Sequence, residues 1–367
     1  MKNSMFSRLT EFLDSFIEAG IPGYDCIVYH KGECVYRHWN GYSDIANKIP
    51  MNGEERYNVY SCSKPITCTA ALQLYEKGLF KLDDKLSDYM PEFEEMYVKT
   101  EEGVKRAENP ITIRHLFCMT AGFSYDLASA MLQLARTETD GKCPTRETMK
   151  YLAKEPLSFE PGTRWQYSLC HDVLAALVEV ISGMKFGEYV RENIFEPLGM
   201  STSTFLLPVE ELDTICTHYT YNNESKKLEV RSKMPDYRLG TEYESGGAGC
   251  VSTVNEYIKF LEAMRIGDVI LKKETIDLMC TSQLTDEQLK NYWFSTYGYG
   301  LGVRCSRGKG DLTDFGWGGA AGAYLMIDRE NEYTAFYVQH VLKSPVHNIR
   351  TKICPMIKEI LTQTKGE

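Results

Sequence analysis

The sequence lacks the features that mark several large classes of protein. None of its 367 residues lies in an apolar run near the roughly 20 residues that a membrane-spanning helix needs. The first twenty residues contain neither the apolar core nor the small-residue cleavage site of a secretory signal. A formal net charge of -10, with no basic run to offset it, disfavours nucleic acid or an anionic membrane as the main partner. We therefore predict a cytoplasmic protein that binds neither nucleic acid nor membrane.

Motifs for metal sites and for other hydrolases are also missing. The seven histidines are dispersed, and no His-Glu-x-x-His, Cys-x-x-Cys or Cys/His cluster with zinc-ligand spacing occurs. We therefore expect no metal and no other cofactor. The Gly-x-Ser-x-Gly motif of α/β hydrolases is absent as well. The twelve cysteines are scattered, and without a targeting signal they are interpreted as reduced core residues, including Cys26 and Cys34 in a predicted hairpin.

What is present is typical of one large globular chain. The apolar fraction of 43% and the charged fraction of 25% match the average of globular proteins. The length allows a large core and either one big domain or two. No repeat, low-complexity tract or Pro/Ser-rich linker divides the chain. We therefore expect two lobes that pack against each other.

Strand and helix patterns are arranged in three blocks. Residues 24–36 alternate apolar and polar side chains around Lys31-Gly32, which predicts a hairpin. Further strands are predicted at Leu228 to Val230, Tyr297 to Val303, Ala323 to Ile327 and Thr334 to Val338. Helices are predicted from Met5 to Phe16, from Ser61 to Lys77, from Ser168 to Ile181 and from Val346 to Thr364. The arrangement predicts an α+β fold: residues 1–78 and 208–367 form an antiparallel sheet flanked by helices, and residues 79–207 form an inserted, mainly helical domain.

Ser61 and Lys64 are the first candidates for chemistry. On a helix, residues three apart share a face, so a hydroxyl and an ammonium can meet there. The N-terminus of the helix favours a developing negative charge, and a buried lysine can act as a base because burial disfavours its charged form. The same Ser-x-x-Lys spacing occurs at Ser182 and at Ser306, but only Ser61 opens a long helix after a strand-like run. The structural alternative for Ser61 is an ordinary helix N-cap.

Two further candidates are Tyr167 and the glycine-rich stretch 315–322. Tyr167 lies just before a predicted helix, where its phenol can point into a cleft; the alternative is an ordinary core tyrosine. The small residues after Trp317 allow a backbone to approach a ligand closely, although they are equally compatible with a packed turn. The adjacent pair His171-Asp172 suggests part of a catalytic triad, but neighbours on a helix face different ways, so helix-surface or capping roles are expected for both.

These patterns, taken together and in this order, resemble the serine β-lactamase-like superfamily. That family contains class C β-lactamases, D-alanyl-D-alanine carboxypeptidases, esterases and acyltransferases. Its Ser-x-x-Lys motif is similar to Ser61-Cys62-Ser63-Lys64, and its Tyr-x-Asn or Tyr-Ser-x motif to Tyr167-Ser168-Leu169. Its Lys-Thr-Gly or Trp-x-Gly motif is similar to Trp317-Gly318-Gly319. The resemblance covers residues 24–338.

The resemblance implies a role for each matching residue. Ser61 is the expected nucleophile, Lys64 and Tyr167 the general base and acid, and the backbone N–H groups of Ser61 and Ala320 the oxyanion hole. The expected substrate-binding residues are Trp317, Gly319, Tyr125 and Leu169.

Two departures from the antibiotic-hydrolysing members bear on the substrate. Leu169 stands where an asparagine is usual, and Trp317 stands where a cation is usual. Both favour an uncharged or apolar ester, so the resemblance implies a carboxylesterase that acts on a small-molecule substrate. A β-lactamase or amidase, an acyltransferase and a non-catalytic acyl-binding or sensor protein remain as alternatives.

Overall fold

The computed structural model describes residues 5–308 and 312–363, and an eight-stranded antiparallel sheet forms its centre. The strands described in these ranges are β1 (Gly23–His30), β2 (Glu33–Asp44), β3 (Ile49–Pro50), β4 (Arg56–Asn58), β5 (Tyr97–Thr100), β6 (Gly103–Arg106), β7 (Tyr219–Asn222), β8 (Lys227–Val230), β9 (Val251–Thr253), β10 (Tyr297–Tyr299), β11 (Arg304–Ser306), β12 (Phe315–Gly318), β13 (Tyr324–Asp328), β14 (Tyr333–Val338) and β15 (Val341–Leu342). The large sheet has the order β10-β11-β12-β13-β14-β1-β2-β3.

The two ends of the chain meet inside this sheet. Strand β1 pairs antiparallel with β14, with Ile27 opposite Phe336. The predicted antiparallel sheet built from both ends of the chain is therefore confirmed. The predicted hairpin is β1–β2, and Lys31 and Gly32 at its turn both have positive φ.

Helices cover both faces of the sheet. They are α1 (Ser7–Glu18), α2 (Ser63–Glu76), α3 (Ile113–Phe117), α4 (Ala130–Glu138), α5 (Thr145–Leu152), α6 (Cys170–Ser182), α7 (Phe186–Val190), α8 (Val254–Ile266), α9 (Lys273–Met279), α10 (Asp286–Leu289) and α11 (Ile353–Gln363). On one face, α1 and α11 bury apolar side chains such as Leu9 and Ile357. On the other face, α8 packs on β14 and β1, where the ring of Tyr257 stacks on that of Phe336 at 4.3 Å. The predicted α+β architecture is thus confirmed.

The segment 79–207 contains α3 to α7 and is mainly helical. It also contains the small hairpin β5–β6, which was not expected. Helix α6 packs against α2 and shares one continuous core with it, so the segment is joined closely to the rest. The division into domains 1–78 plus 208–367 and 79–207 stays a prediction.

Several expected elements differ in extent. The predicted strand 297–303 ends at Tyr299, because residues 300–303 form the turn to β11, in which the Gly300 N–H donates to the Val303 carbonyl oxygen at 2.8 Å and Gly302 has a φ of 89°. The last helix begins at Ile353 after a 3₁₀ turn, and Thr364 lies outside the described residues. Cys34 is exposed on β2 and is not a core residue. No helix within the described ranges is long and apolar enough to cross a membrane.

Candidate active site

Ser61 lies in a 3₁₀ turn, Tyr60–Cys62, between the short strand β4 and helix α2. The expected helix therefore starts two residues later, at Ser63, and Ser61 precedes it. Tyr60 has a φ of 49°, a conformation that usually costs a bulky residue about 1–3 kcal/mol. Its ring packs edge-on against Tyr237, and its hydroxyl is 3.2 Å from Nε2 of His218. These contacts hold the strained turn that directs Ser61 away from the strand.

The structure brings the three predicted catalytic side chains together. Nζ of Lys64 lies 3.3 Å from Oγ of Ser61, and the hydroxyl of Tyr167 also hydrogen-bonds this Oγ. Nζ of Lys64 lies 4.5 Å from the centre of the Tyr167 ring. Lys64 is fully buried, Ser61 is 8% exposed, and Tyr167 is half-buried. A nucleophile, an amine and a phenol thus form one hydrogen-bonded group.

The backbone at Gly247 completes the surroundings of Lys64. The ammonium donates to the carbonyl oxygen of Gly247 at 2.6 Å. A Cβ added to Gly247 would lie 2.6 Å from Oδ2 of Asp172 and 3.3 Å from Nζ of Lys64. Only a residue without a side chain therefore lets this backbone pass between the amine and the carboxylate.

Asp172 and His171 are both fully buried, so the expectation of helix-surface or capping roles is wrong for both. Oδ1 of Asp172 accepts hydrogen bonds from Tyr243 at 2.9 Å and Ser245 at 2.7 Å. Burial raises the pKa of Asp172, and these donors and the Lys64 charge oppose that rise. Burial and the charge of Lys64 lower the pKa of His171 to about 3, so its imidazole is neutral at pH 7. Helix α6 is buried on the side where surface residues were expected, because the glycines at 246 and 247 pack on it.

The end of β12 lies close to the nucleophile turn. A Cβ added to Gly319 would be 2.4 Å from the carbonyl oxygen of Val59, two residues before Ser61. The next residue, Ala320, is exposed and lines the same cavity as Ser61. Gly319 therefore allows the approach that places the Ala320 backbone beside Ser61.

The cavity beside Ser61 has a volume of about 330 Å³. Its walls include Trp317 and Gly319, as expected, together with Trp293 and the guanidinium groups of Arg304 and Arg350, which were not expected. Nη1 of Arg304 donates to Asp314 at 2.5 Å, whereas Nη1 of Arg350 donates to backbone carbonyls, among them that of Gly319 at 3.1 Å. The charge of Arg304 is thus paired with a buried carboxylate, and Arg350 contributes a positive charge to the wall although the usual cation of the third motif is a tryptophan.

The remaining two expected binding residues occupy different positions. The ring of Tyr125 stacks almost parallel on that of Tyr167, 5.3 Å between centres, and lies 5.4 Å from Nζ of Lys64. Leu169 is 1% exposed at the start of α6 and belongs to the hydrophobic core, not to the walls of the Ser61 cavity.

Three features of the site do not follow from the sequence patterns. Asp172 was expected at a helix surface, and no role in the site was expected for Gly247 or Trp293. The sequence signal that could have identified Trp293 is the aromatic run Tyr292-Trp293-Phe294, which lies next to polar residues. Within residues 5–308 and 312–363, no cluster of three or more His, Cys, Asp or Glu side chains is placed to hold a metal ion.

Comparison with known proteins shows the family. The family model described as "Beta-lactamase" matches residues 5–352. The chain belongs to the beta-lactamase family. As a member of it, the protein carries the fold of a superfamily of serine hydrolases, and esterases are among its relatives.

Two curated relatives of this beta-lactamase family protein are esterases. The esterase EstB of Burkholderia gladioli is 28% identical over 304 residues, which cover 75% of this chain and 74% of EstB. The lovastatin esterase of Penicillium rubens is 29% identical over 350 residues, covering 83% and 85% of the two chains. Among solved structures, EstCE1, a hydrolase with promiscuous acyltransferase activity, superposes with a TM-score of 0.82 at 23% identity. That match covers 97% of this chain and 99% of EstCE1.

Proposed function

We propose that the protein is a carboxylesterase that hydrolyses small esters through an acyl-enzyme on Ser61. The observation that carries the proposal is the contact of Ser61 Oγ with both Lys64 and Tyr167 at the edge of a cavity. A serine hydroxyl needs a neighbouring base to act as a nucleophile at neutral pH, and the two groups supply one proton acceptor and one proton donor.

The geometry supports an ordinary two-step acyl transfer. Ser61 Oγ attacks the ester carbonyl while its proton passes to the Lys64–Tyr167 pair, and the oxyanion is held by the N–H groups of Ser61 and Ala320. The pair then returns the proton to the leaving alkoxide, which departs as an alcohol and leaves the acyl-enzyme. Water then gives a proton to the same pair and attacks the acyl-enzyme; the bond to Ser61 Oγ breaks, the acid is released, and the pair returns the proton to Ser61 Oγ.

Three observations favour an ester over a β-lactam or a peptide. Trp317 places an apolar ring beside Tyr167 where the usual cation would stand. Of the two guanidinium groups at the cavity wall, that of Arg304 is paired with Asp314, and that of Arg350 donates to the carbonyl oxygens of Gly319 and Ala323. Leu169 is part of the core and offers no amide to a substrate. Two relatives are named as esterases.

A panel of p-nitrophenyl esters and the chromogenic cephalosporin nitrocefin, each tested with wild type and Ser61→Ala, examines the proposal. We expect kcat/KM for short-chain esters to exceed that for nitrocefin, and Ser61→Ala to be inactive on both. Nitrocefin turnover equal to or above that of every ester would point to a β-lactamase instead.

Acyl transfer to an alcohol is the second candidate, because the structurally similar EstCE1 is a hydrolase with promiscuous acyltransferase activity. The same acyl-enzyme serves both reactions, so the acceptor decides between them. Adding a primary alcohol to the ester assay and separating the products by chromatography distinguishes them: an acyltransferase forms mainly the new ester, and a hydrolase forms mainly the free acid.

A further inference from the structure

Trp293 is the most unusual side chain near the nucleophile. It lies between α10 and β10, lines the Ser61 cavity, and leaves 60% of its surface exposed. Its ring centre is 4.9 Å from that of Tyr167, and Trp165 packs edge-on beneath it at 5.0 Å. A large apolar side chain that is held in place from below and open to a cavity on its other side is typical of a ligand-binding surface.

The aromatic rings that line the cavity pack on one another. Trp317 lies within 18° of the plane of Tyr167 and within 24° of the plane of Trp293, whereas the planes of Tyr167 and Trp293 meet at 43°. The ring of Phe294 meets Trp317 edge-on at 6.3 Å. These rings form one continuous aromatic surface on the wall of the cavity. A substrate ring that lies on such a surface gains the offset-stacked or edge-to-face contacts that aromatic pairs prefer, and a saturated ring does not.

The charges in the cavity decide which flat group fits. Aromatic walls also bind quaternary ammonium groups, but the guanidinium group of Arg350 lies 5.8 Å from the centre of the Tyr324 ring in this cavity and would repel a further cation. The charge of Arg304, 5.3 Å from the same ring, is paired with Asp314. A neutral, electron-rich ring of a substrate would instead be attracted to the guanidinium group of Arg350 and to the aromatic walls.

We propose that Trp293 is a specificity-determining residue that makes the enzyme prefer esters carrying an aromatic ring next to the ester group. This inference rests on the proposed function, since it assigns the substrate class of the Ser61 site. The ring can belong to the alcohol or to the acid, and the two sources require separate arms of one experiment.

Two pairs of substrates with matched reactivity form these arms. Benzyl acetate and cyclohexylmethyl acetate place the ring on the alcohol, and ethyl phenylacetate and ethyl cyclohexylacetate place it on the acid. We expect kcat/KM of the aromatic member to exceed that of its saturated partner about two- to tenfold in at least one pair, the usual gain from an aromatic contact beyond its buried area. Trp293→Leu should bring this ratio close to one.

Trp39→Leu is the matched control, because Trp39 is also partly exposed but lies on β2, outside the walls of the Ser61 cavity. The Trp39→Leu variant should keep the wild-type ratio of kcat/KM between the aromatic and the saturated ester. A wild-type ratio near one in both pairs, or an unchanged ratio in Trp293→Leu, would overturn the inference while leaving ester hydrolysis on Ser61 intact.

Binding to Ser61→Ala separates the two proposals. Saturation-transfer NMR with benzyl acetate and cyclohexylmethyl acetate should show stronger binding of the aromatic ester, and this difference should vanish in Ser61→Ala/Trp293→Leu. If Ser61→Ala keeps full esterase activity, the assignment of the nucleophile fails, yet a Trp293-dependent preference in binding would still support aromatic recognition. Equal binding of the two esters contradicts the inference whatever the activity.

Discussion

The two faces of the large sheet differ in what they bury. On the face covered by α1 and α11, the core consists mainly of apolar and tyrosine side chains, such as Leu13 and Ile360, and one buried ion pair, Arg304–Asp314, lies beside it. On the opposite side, α2 and α6 bury Lys64, His171 and Asp172 among apolar neighbours. Strand β1 shows this division. Cys26 and Val28 belong to the core on the face covered by α1 and α11, and Ile27 belongs to the core on the opposite face.

This difference separates the interactions that stabilise the fold from those that position the groups of the active site. Apolar burial is non-directional and contributes in proportion to area, so the first face stabilises the sheet without fixing any one group. Buried charged groups require specific partners, such as the Gly247 carbonyl for Lys64 and the Ser245 hydroxyl for Asp172. We therefore expect substitutions on the first face to change stability, and those on the second to change catalysis.

The largest effects should follow from changing the proton-transfer pair. Tyr167→Phe keeps the ring and removes the hydroxyl that bonds Ser61 Oγ, so kcat should fall by about 10²–10⁴ while KM for a small ester stays nearly constant. Lys64→Met should be at least as damaging, because it removes both the amine and its charge. Steady-state kinetics with a short p-nitrophenyl ester measures both. A Tyr167→Phe enzyme with near-wild-type kcat would make Tyr167 a packing residue and place the base elsewhere.

On the opposite face, Leu13→Ala should cost stability alone. The side chain is fully buried in α1, and truncating such a leucine usually lowers the free energy of unfolding by about 2–5 kcal/mol. Urea denaturation measures the loss, and kcat per folded molecule should be unchanged. A large fall in kcat at full folding would show that the two faces are not independent.

Acid should destabilise the folded protein through its buried histidines. Burial lowers the pKa of His115 and His340 to about 4, of His171 to about 3 and of His218 to about 2, against 6.5 for a free imidazole. Below pH 6.5 the unfolded chain therefore binds protons that the folded chain does not. Each such group removes about 1.4 kcal/mol of stability per pH unit down to its folded pKa.

His340→Gln tests this slope. The variant should lose less stability than wild type between pH 6.5 and pH 4, by about 1.4 kcal/mol for each pH unit. Urea denaturation at several pH values measures it, and the difference between the two proteins at pH 8 corrects for packing. Parallel stability curves would mean that the pKa of His340 is the same in the folded and unfolded protein, which contradicts the lowering by burial.

The smallest effect should come from one methyl group. Gly247→Ala places a Cβ against Asp172 and Lys64, and such overpacking typically costs about 1–3 kcal/mol, expressed here as a fall in kcat of about tenfold. Gly78→Ala is the matched control, since a Cβ there meets no atom within 4 Å, although its φ of 71° adds strain. Gly78→Ala should lower stability slightly and leave kcat unchanged, whereas equal kcat in both variants would show that Gly247 does not help to position Lys64.

Local patterns predicted much of the fold and only part of the site. Alternating residues and helical periodicity identified β1–β2 and α1, and the spacing of Ser61 and Lys64 identified two groups that do meet. Tyr167 and the stretch after Trp317 came from the order of motifs, because residues that far apart carry no local signal of contact. Their positions beside Ser61 agree with the expectation, and their roles stay predictions.

The remaining features depend on long-range contacts that no local pattern contains. Asp172 is buried because Gly246 and Gly247, more than seventy residues later, pack on α6. Leu169 is buried in the core at the start of the same helix, so its position in the motif did not predict its surroundings. The hairpin β5–β6 is largely exposed and short, which left its alternation too weak to separate it from helical surroundings.

Covalent labelling tests the central claim, that Ser61 is the nucleophile, most directly. The protein is treated with a fluorophosphonate, digested, and the modified peptide is identified by mass spectrometry, with Ser61→Ala as the control. We expect one stoichiometric adduct on Ser61, none on Ser182 or Ser306, and no labelling of Ser61→Ala. An adduct on another residue, or equal labelling of Ser61→Ala, would contradict the claim.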